Sequence, residues 1–126
     1  MDSISVLMCV YERDDDENFI EAINSLKRNT FYIDQTIIVI NGYISEIKSK
    51  KINENLKDLK ITRIDLPINI GLSRALNLGL QKVESKWIAR FDSDDICCES
   101  RFLNIHKILN MHGENYDVFG TFIFEF

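Results

Sequence analysis

The stretch IARFDSDDI, residues 88–96, places three carboxylates, Asp92, Asp94 and Asp95, within four positions directly after an apolar run. Like charges repel, so this crowding calls for a counter-charge. Asp92 and Asp94 are two apart: in an extended chain their side chains share a face, and in a turn they can converge on one point. A divalent cation at that point would remove the repulsion. Carboxylate oxygens suit Mg2+ or Mn2+, which bind through one or two carboxylates and complete their shell with waters and substrate phosphates. An ion held this way can grip a diphosphate and stabilise its charge as it leaves. The same residues have a structural use as well, since Asp94, Asp95 or Ser100 could cap a helix starting at RFLNIHKIL. A D-x-D pair is common by chance, so its place in the fold has to decide.

The elements before it follow a regular order. SISVLMCV (3–10) is an apolar run of strand length. The acidic ERDDDE precedes NFIEAINSLKRN, where Phe19, Ala22, Ile23 and Leu26 share a helical face. Asp14, Asp15 and Asp16 are expected to cap that helix and complement its dipole. TIIVING (36–42) reads as a β-branched strand ended by an Asn-Gly turn. Ile44, Ile47, Ile52, Leu56 and Leu59 recur at helical spacing through a lysine-rich segment, whose charges are expected to face solvent. KITRIDL alternates like a third strand, ended by Pro67. Leu72, Ala75, Leu76, Leu80 and Val83 mark a third helix over 72–83. KWIARF is a fourth strand, leading into Asp92.

ESRFLNIHKILNMHG follows as a helix with Phe102, Ile105, Ile108 and Leu109 inward and Gly113 at its end. His106 and His112 read as ordinary helix residues. YDVFGTFIFEF (116–126) predicts a fifth strand. Alternation of this kind implies an α/β fold: a mostly parallel, doubly wound sheet with helices on both faces. Ligands in such sheets bind at the carboxyl ends of strands where the strand order reverses. Both VYER and FDSDD stand at strand carboxyl ends.

The chain's 126 residues suffice for one domain with a hydrophobic core. With 45% apolar and 28% charged residues the composition is that of a globular protein. A net charge of −5 argues against a nucleic-acid surface, and an anionic small ligand would need a local positive centre. No apolar stretch is long enough to span a bilayer. Three cysteines (Cys9, Cys97, Cys98) without a scaffold pattern, and an N-terminus without a basic leader, lead us to expect a reducing cytoplasm with buried or free thiols.

SVLMCVYERD, IIVING, NIGLSRALNLGL and WIARFDSDD together resemble, in order and spacing, the family 2 glycosyltransferases of GT-A (Rossmann-like) fold. The resemblance is nearest to bacterial enzymes that build capsule, exopolysaccharide or lipopolysaccharide. Members commonly carry V-x-Y-N/K, V-x-D-G, N-x-G-L and D-S-D-D at these places. The resemblance implies transfer of a sugar, with inversion, from a nucleoside-diphosphate sugar (UDP by preference) to a glycan or lipid-linked acceptor. Tyr11, with the Cys9–Glu12 backbone, would lie against the nucleobase. Asn41 stands where members usually have an aspartate bonding the base; its amide oxygen can still accept from uracil N3–H. Asp92 and Ser93 would meet the ribose and sugar. Asp94, with Asp92, would ligate Mn2+ or Mg2+, and Asp95 is assigned to capping the next helix.

Where members often have a proline and DR, this chain has CCESR, a change expected to affect only the start of the helix. Inverting enzymes of the family take their general base from a later acidic motif. Glu114, Asp117 and Glu125 lack its context, so the catalytic base is unassigned and expected beyond residue 126. Residues 1–126 are accordingly expected to form the nucleotide-sugar-binding part of a larger enzyme, working in the cytoplasm or at the inner face of the membrane.

Two other classes compete. A phosphoacceptor receiver domain shares the length, the alternation and a Mg2+ site. It wants an acidic pair ending the first strand, an aspartate ending the third and a lysine ending the fifth, and only Asp65 approaches this. A nucleotidyltransferase wants a glycine-rich basic loop after the first strand, where VYERDDDEN is acidic and has no glycine.

Overall fold

The structure, a computed structural model, describes residues 2–120. Four strands, β1 (Ile4–Val10), β2 (Gln35–Asn41), β3 (Ile61–Leu66) and β4 (Trp87–Arg90), alternate with four helices, α1 (Asp16–Lys27), α2 (Glu46–Asn55), α3 (Leu72–Leu80) and α4 (Arg101–His112). The strands form one parallel sheet in the order β3-β2-β1-β4. As the chain steps from β1 to β3, right-handed crossovers place α1 and α2 on one face. The return past β1 to β4 reverses direction and lays α3 on the other. The strand order therefore reverses between β1 and β4. The predicted fifth strand falls largely outside the described residues, and 116–120 form no strand.

The cores follow the two-residue period of the strands. Ile4, Val6, Met8 and Val10 of β1, with Ile38 and Ile40 of β2, pack under α1, α2 and α4. Leu7, Ile37 and Val39 point the other way, toward Ala75 of α3. Gly79 of α3 lies so close to the sheet that a Cβ would stand 2.5 Å from Leu7 Cδ1. In α4, Phe102, Ile105 and Leu109 are buried, as the spacing predicts.

Several local expectations need correcting. Asp15 caps α1, accepting the Asn18 N–H at 2.9 Å, whereas Asp14 accepts the Tyr11 N–H at 3.0 Å. The lysine-rich segment is not uniformly solvated, because the Lys48 side chain is only 5% exposed. Ile47, by contrast, is exposed. α3 stops at Leu80, and Val83 packs against its face from the turn that follows. His106 is buried, with Nε2 3.1 Å from the Tyr32 carbonyl, which requires the proton on Nε2.

Lys48 links α2 to the segment preceding and starting α1. Its ammonium donates to Asp16 Oδ1 at 2.7 Å and to the Asp14 carbonyl, and Lys51 reaches Asp16 Oδ2 at 3.2 Å. Hydrogen bonding from Lys48 holds the Asp16 carboxyl below the usual aspartate range. A depressed carboxylate pKa contributes stability that is present above the unfolded pKa and lost as pH falls through the folded one. Asp16→Ala should therefore lower stability at pH 7 by roughly 2–3 kcal/mol, because it strands a buried ammonium. The deficit should narrow below about pH 4, and adding Lys48→Met should recover most of it. Urea unfolding of the three proteins checks this; a loss under about 0.5 kcal/mol for the single variant would contradict it.

Candidate functional site

The carboxyl ends of β1, β2 and β4 open into one cleft of about 410 Å³. It lies beside the reversal of strand order, where a doubly wound sheet offers a crevice. Asp14, Asp92 and Asp94 bring three carboxylates to its wall, with Ser93 between the last two. The remaining lining, Cys9, Tyr11, Asn41, Asn69 and Leu72, is uncharged. Among the described residues, no lysine or arginine lines the cleft.

The Asp92–Asp95 segment is a turn rather than a helix start. The Asp95 N–H bonds the Asp92 carbonyl at 3.2 Å, and α4 begins only at Arg101. Ser100 occupies the cap position of α4 without a side-chain capping bond. The assignment of Asp95 as the cap of α4 is thus corrected, and Asp94 does not cap it either; the intervening residues 96–100 separate both from the helix. Ser93 is buried, which turns its neighbours Asp92 and Asp94 outward. Desolvation first, then the charges of Asp92 and Asp94, push the Asp95 carboxyl above the ordinary aspartate range. Arg90, at the end of β4, donates to Asp92 Oδ1 at 3.0 Å and to the Leu7 carbonyl at 3.0 Å. That bond orients Asp92 and offsets part of its charge.

Among the described residues Asp94 has no comparable bond, which leaves its oxygens open to a cation. No three acidic, cysteine or histidine side chains among the described residues converge well enough to hold an ion alone. Two carboxylates completed by ligand oxygens and waters is the arrangement Mg2+ and Mn2+ ordinarily adopt. The donor set therefore fits such an ion.

The uncharged end rests on a close approach of two loops. Gly42 has φ +101°, and a Cβ there would stand 2.7 Å from the Asn69 backbone nitrogen. Only glycine lets the β2 end pass the 68–71 loop this closely. Asn41, buried at that end, accepts the Ile70 N–H on Oδ1 at 3.0 Å, while Asn69 Oδ1 accepts the Gly71 N–H at 2.9 Å and shapes the start of α3.

Of the residues singled out in the sequence, Cys9, Tyr11, Asn41, Asp92, Ser93 and Asp94 come together here. Glu12 does not. Its carboxylate accepts the Ser45 N–H at 2.8 Å and faces a separate acidic hollow between α1 and α2. Asp14, Asn69 and Leu72 also line the cleft and were not picked out as site residues. The N-x-G-L signature was a signal for Asn69 and Leu72; Asp14 was hidden in a run that also reads as a helix cap. Asp65, the residue nearest to a receiver pattern, is bound to Arg63 at 2.9 Å and is absent from the cleft lining.

The sequence profile described as "Glycosyl transferase family 2" matches residues 5–124. The chain is 32% identical to the UDP-Gal:alpha-D-GlcNAc-diphosphoundecaprenol beta-1,3-galactosyltransferase of Escherichia coli, over 97% of this chain and 44% of that protein. Its fold matches Staphylococcus aureus TarS 1-349 in complex with UDP-GlcNAc at TM-score 0.74 and 19% identity, covering 88% of this chain and 32% of that one. The mannosyltransferase PcManGT from Pyrobaculum calidifontis, in complex with GDP-Man and Mn2+, gives TM-score 0.70 at 15% identity, covering 86% and 32%. These likenesses assign the GT-A fold. The chain spans 41–45% of the length of the first curated relatives it matches.

Burial, with the Asp14 charge next, pushes the Cys9 thiol up to about 11, so it lines the cleft as a neutral group. Cys97 is buried and also raised, mainly by desolvation, whereas Cys98 is exposed. At pH 8 a thiol-specific reagent should modify Cys98 at least about tenfold faster than Cys9 or Cys97, because the thiolate is the reacting species. Peptide mapping over time checks this, and a Cys98→Ser protein should lack the fast phase. Rapid modification of Cys9 would contradict it.

Proposed function

The chain belongs to glycosyl transferase family 2, and from that membership we propose that its carboxylate-lined cleft binds the sugar donor, a nucleoside-diphosphate sugar. The observation that carries the reading is the pairing of an acidic wall, whose Asp92 already engages Arg90, with an uncharged wall and no lysine or arginine among the described lining residues. A diphosphate could settle beside Asp92 and Asp94 only with a cation between them, and Asp94 has the free oxygens to hold it. Mn2+ or Mg2+ would supply Lewis-acid stabilisation of the departing diphosphate. The Mn2+ in the archaeal mannosyltransferase complex supports a divalent ion in this fold. Arg90 holds Asp92 in place to receive hydroxyl groups of the donor. The neutral wall suits the nucleobase, with Tyr11 and Leu72 offering apolar surface, both partly exposed.

Residues 1–126 then act as the donor-binding part of a longer enzyme. Transfer would proceed with inversion: the acceptor hydroxyl attacks the anomeric carbon opposite the leaving diphosphate, through a transition state of oxocarbenium character. The carboxylate that deprotonates the acceptor is assigned to sequence outside this chain, since no acid after Asp94 is among the cleft-lining residues described. The E. coli relative is named for a diphosphoundecaprenol-linked acceptor. A glycan or lipid-linked acceptor in cell-surface polysaccharide synthesis, met at the cytoplasmic face of the membrane, is the matching assignment here. No helix among the described residues is long and apolar enough to cross a membrane.

Thermal unfolding tests the reading. UDP-sugar at a hundredfold excess over its Kd should add about 2.7 kcal/mol, a rise on the order of 10 °C, and only with Mn2+ or Mg2+ present. Asp94→Ala should abolish the shift, whereas Asp117→Ala, at an exposed site outside the cleft, should leave it intact. An undiminished shift in the Asp94 variant would overturn the metal assignment.

A further inference from the structure

The turn that carries Asp94 is pinned at both ends from outside the cleft. Upstream, the Phe91 N–H bonds the Leu7 carbonyl at 3.2 Å and fixes the end of β4. Downstream, the Cys97 N–H meets Ser25 Oγ at 2.8 Å, and that hydroxyl donates in turn to the Ala22 carbonyl of α1 at 2.6 Å. Residues 92–96 span the gap, with the Asp95 N–H on the Asp92 carbonyl as their internal backbone bond.

Asn29, just past the end of α1, completes the downstream anchor. It is fully buried, as is Ser25. Its Nδ2 donates to the Cys98 carbonyl at 3.1 Å and the Ser25 carbonyl at 3.3 Å, and reaches Cys97 Sγ at 3.4 Å. Its Oδ1 accepts the Phe102 N–H at 3.3 Å. Carbonyls need the amide protons and a backbone N–H needs the oxygen, so the amide orientation follows from its neighbours. One side chain thus serves an orphan carbonyl in the last turn of α1 and an orphan N–H in the first turn of α4. Ser100, at the cap position of α4, makes no such bond. The two helix ends are joined across 68 to 73 positions of sequence.

Resting on the donor-site reading above, we propose that Asn29, with Ser25, is a positioning residue that fixes the downstream end of the 92–96 span and so holds Asp94 ready for the cation. Repulsion among Asp92, Asp94 and Asp95 drives that span to open. Once opened, it must be ordered again each time a cation binds, and that ordering costs affinity. Asp94 lies three residues from the Cys97 bond, too few for the chain to absorb a loosened end. Neither Asn29 nor Ser25 lines the cleft, so both act through the turn.

Calorimetric titration of UDP over a series of Mn2+ concentrations tests this, with every variant first shown to be folded. Asn29→Ala should raise the Mn2+ concentration giving half the maximal effect by about tenfold or more, as when groups supporting a metal ligand are removed. Ser25→Ala, which removes a smaller part of the anchor, should raise it by about threefold. At saturating Mn2+ both variants should bind UDP within about threefold of the wild-type Kd, a recovery that a general loss of structure would not give. Ile52→Val, a core change on α2, should leave the Mn2+ requirement within about twofold of wild type. An unchanged requirement in the Asn29 and Ser25 variants, or an equal shift in Ile52→Val, overturns the positioning role and leaves the donor site standing. Ser25→Ala decides alone if Asn29→Ala does not fold. Failure of the wild-type protein to bind UDP at any Mn2+ concentration overturns the donor site itself, and this inference with it.

Discussion

Repulsion among Asp14, Asp92 and Asp94 is the constraint around which the strand ends are organised. Three carboxylates share one wall, and of these only Asp92 is paired with a basic side chain, Arg90, among the described residues. The protein restrains them separately instead. Asp14 is held by the Tyr11 N–H, Asp92 by the Arg90 guanidinium, and the 92–95 turn by its own backbone bond. Neighbouring Asp95 has its carboxyl pushed above the ordinary aspartate range by burial first and by the charges of Asp92 and Asp94 next. Among the described residues Asp94 has no such restraint, and the proposed cation is assigned to it on that ground.

The opposite wall obeys a steric rather than an electrostatic constraint. Asn41 and Gly42 can meet the 68–71 loop only because glycine tolerates positive φ and carries no side chain. The Ile70 N–H then fixes the Asn41 amide. Parallel strands deliver both walls: β2 ends at Asn41 directly opposite Leu66 of β3, and β4 ends at Arg90 beside Leu7 of β1. A sheet whose order reverses between β1 and β4 leaves the space between the walls open.

Much of this was legible in the sequence. Four apolar runs of strand length alternate with amphipathic segments, and hydrophobic periodicity is a local property. The DSDD cluster announced itself because acids are costly to crowd. Other features depended on contacts that periodicity does not encode. Lys48 looked like one solvated lysine among several; its partner Asp16 lies 32 positions earlier, and only the packing of α1 beside α2 joins them. Gly79 falls outside the apolar spacing that marks the third helix, although its missing side chain sets how closely α3 approaches Leu7. Asp95 had the residue type of a helix cap, but the chain makes a turn and an irregular stretch before α4 begins. The orientation of the Asn41 amide required the position of a loop nearly thirty residues away in sequence.

Anomalous diffraction at the manganese edge, from crystals grown with Mn2+ and UDP, addresses the charge balance most directly. The account predicts a single strong peak in the cleft, at direct ligand distance of about 2.1 Å from an Asp94 oxygen and bridged to the diphosphate. A cleft with nucleotide but no manganese, or manganese bound elsewhere while Asp94 bonds to protein amides, would contradict it.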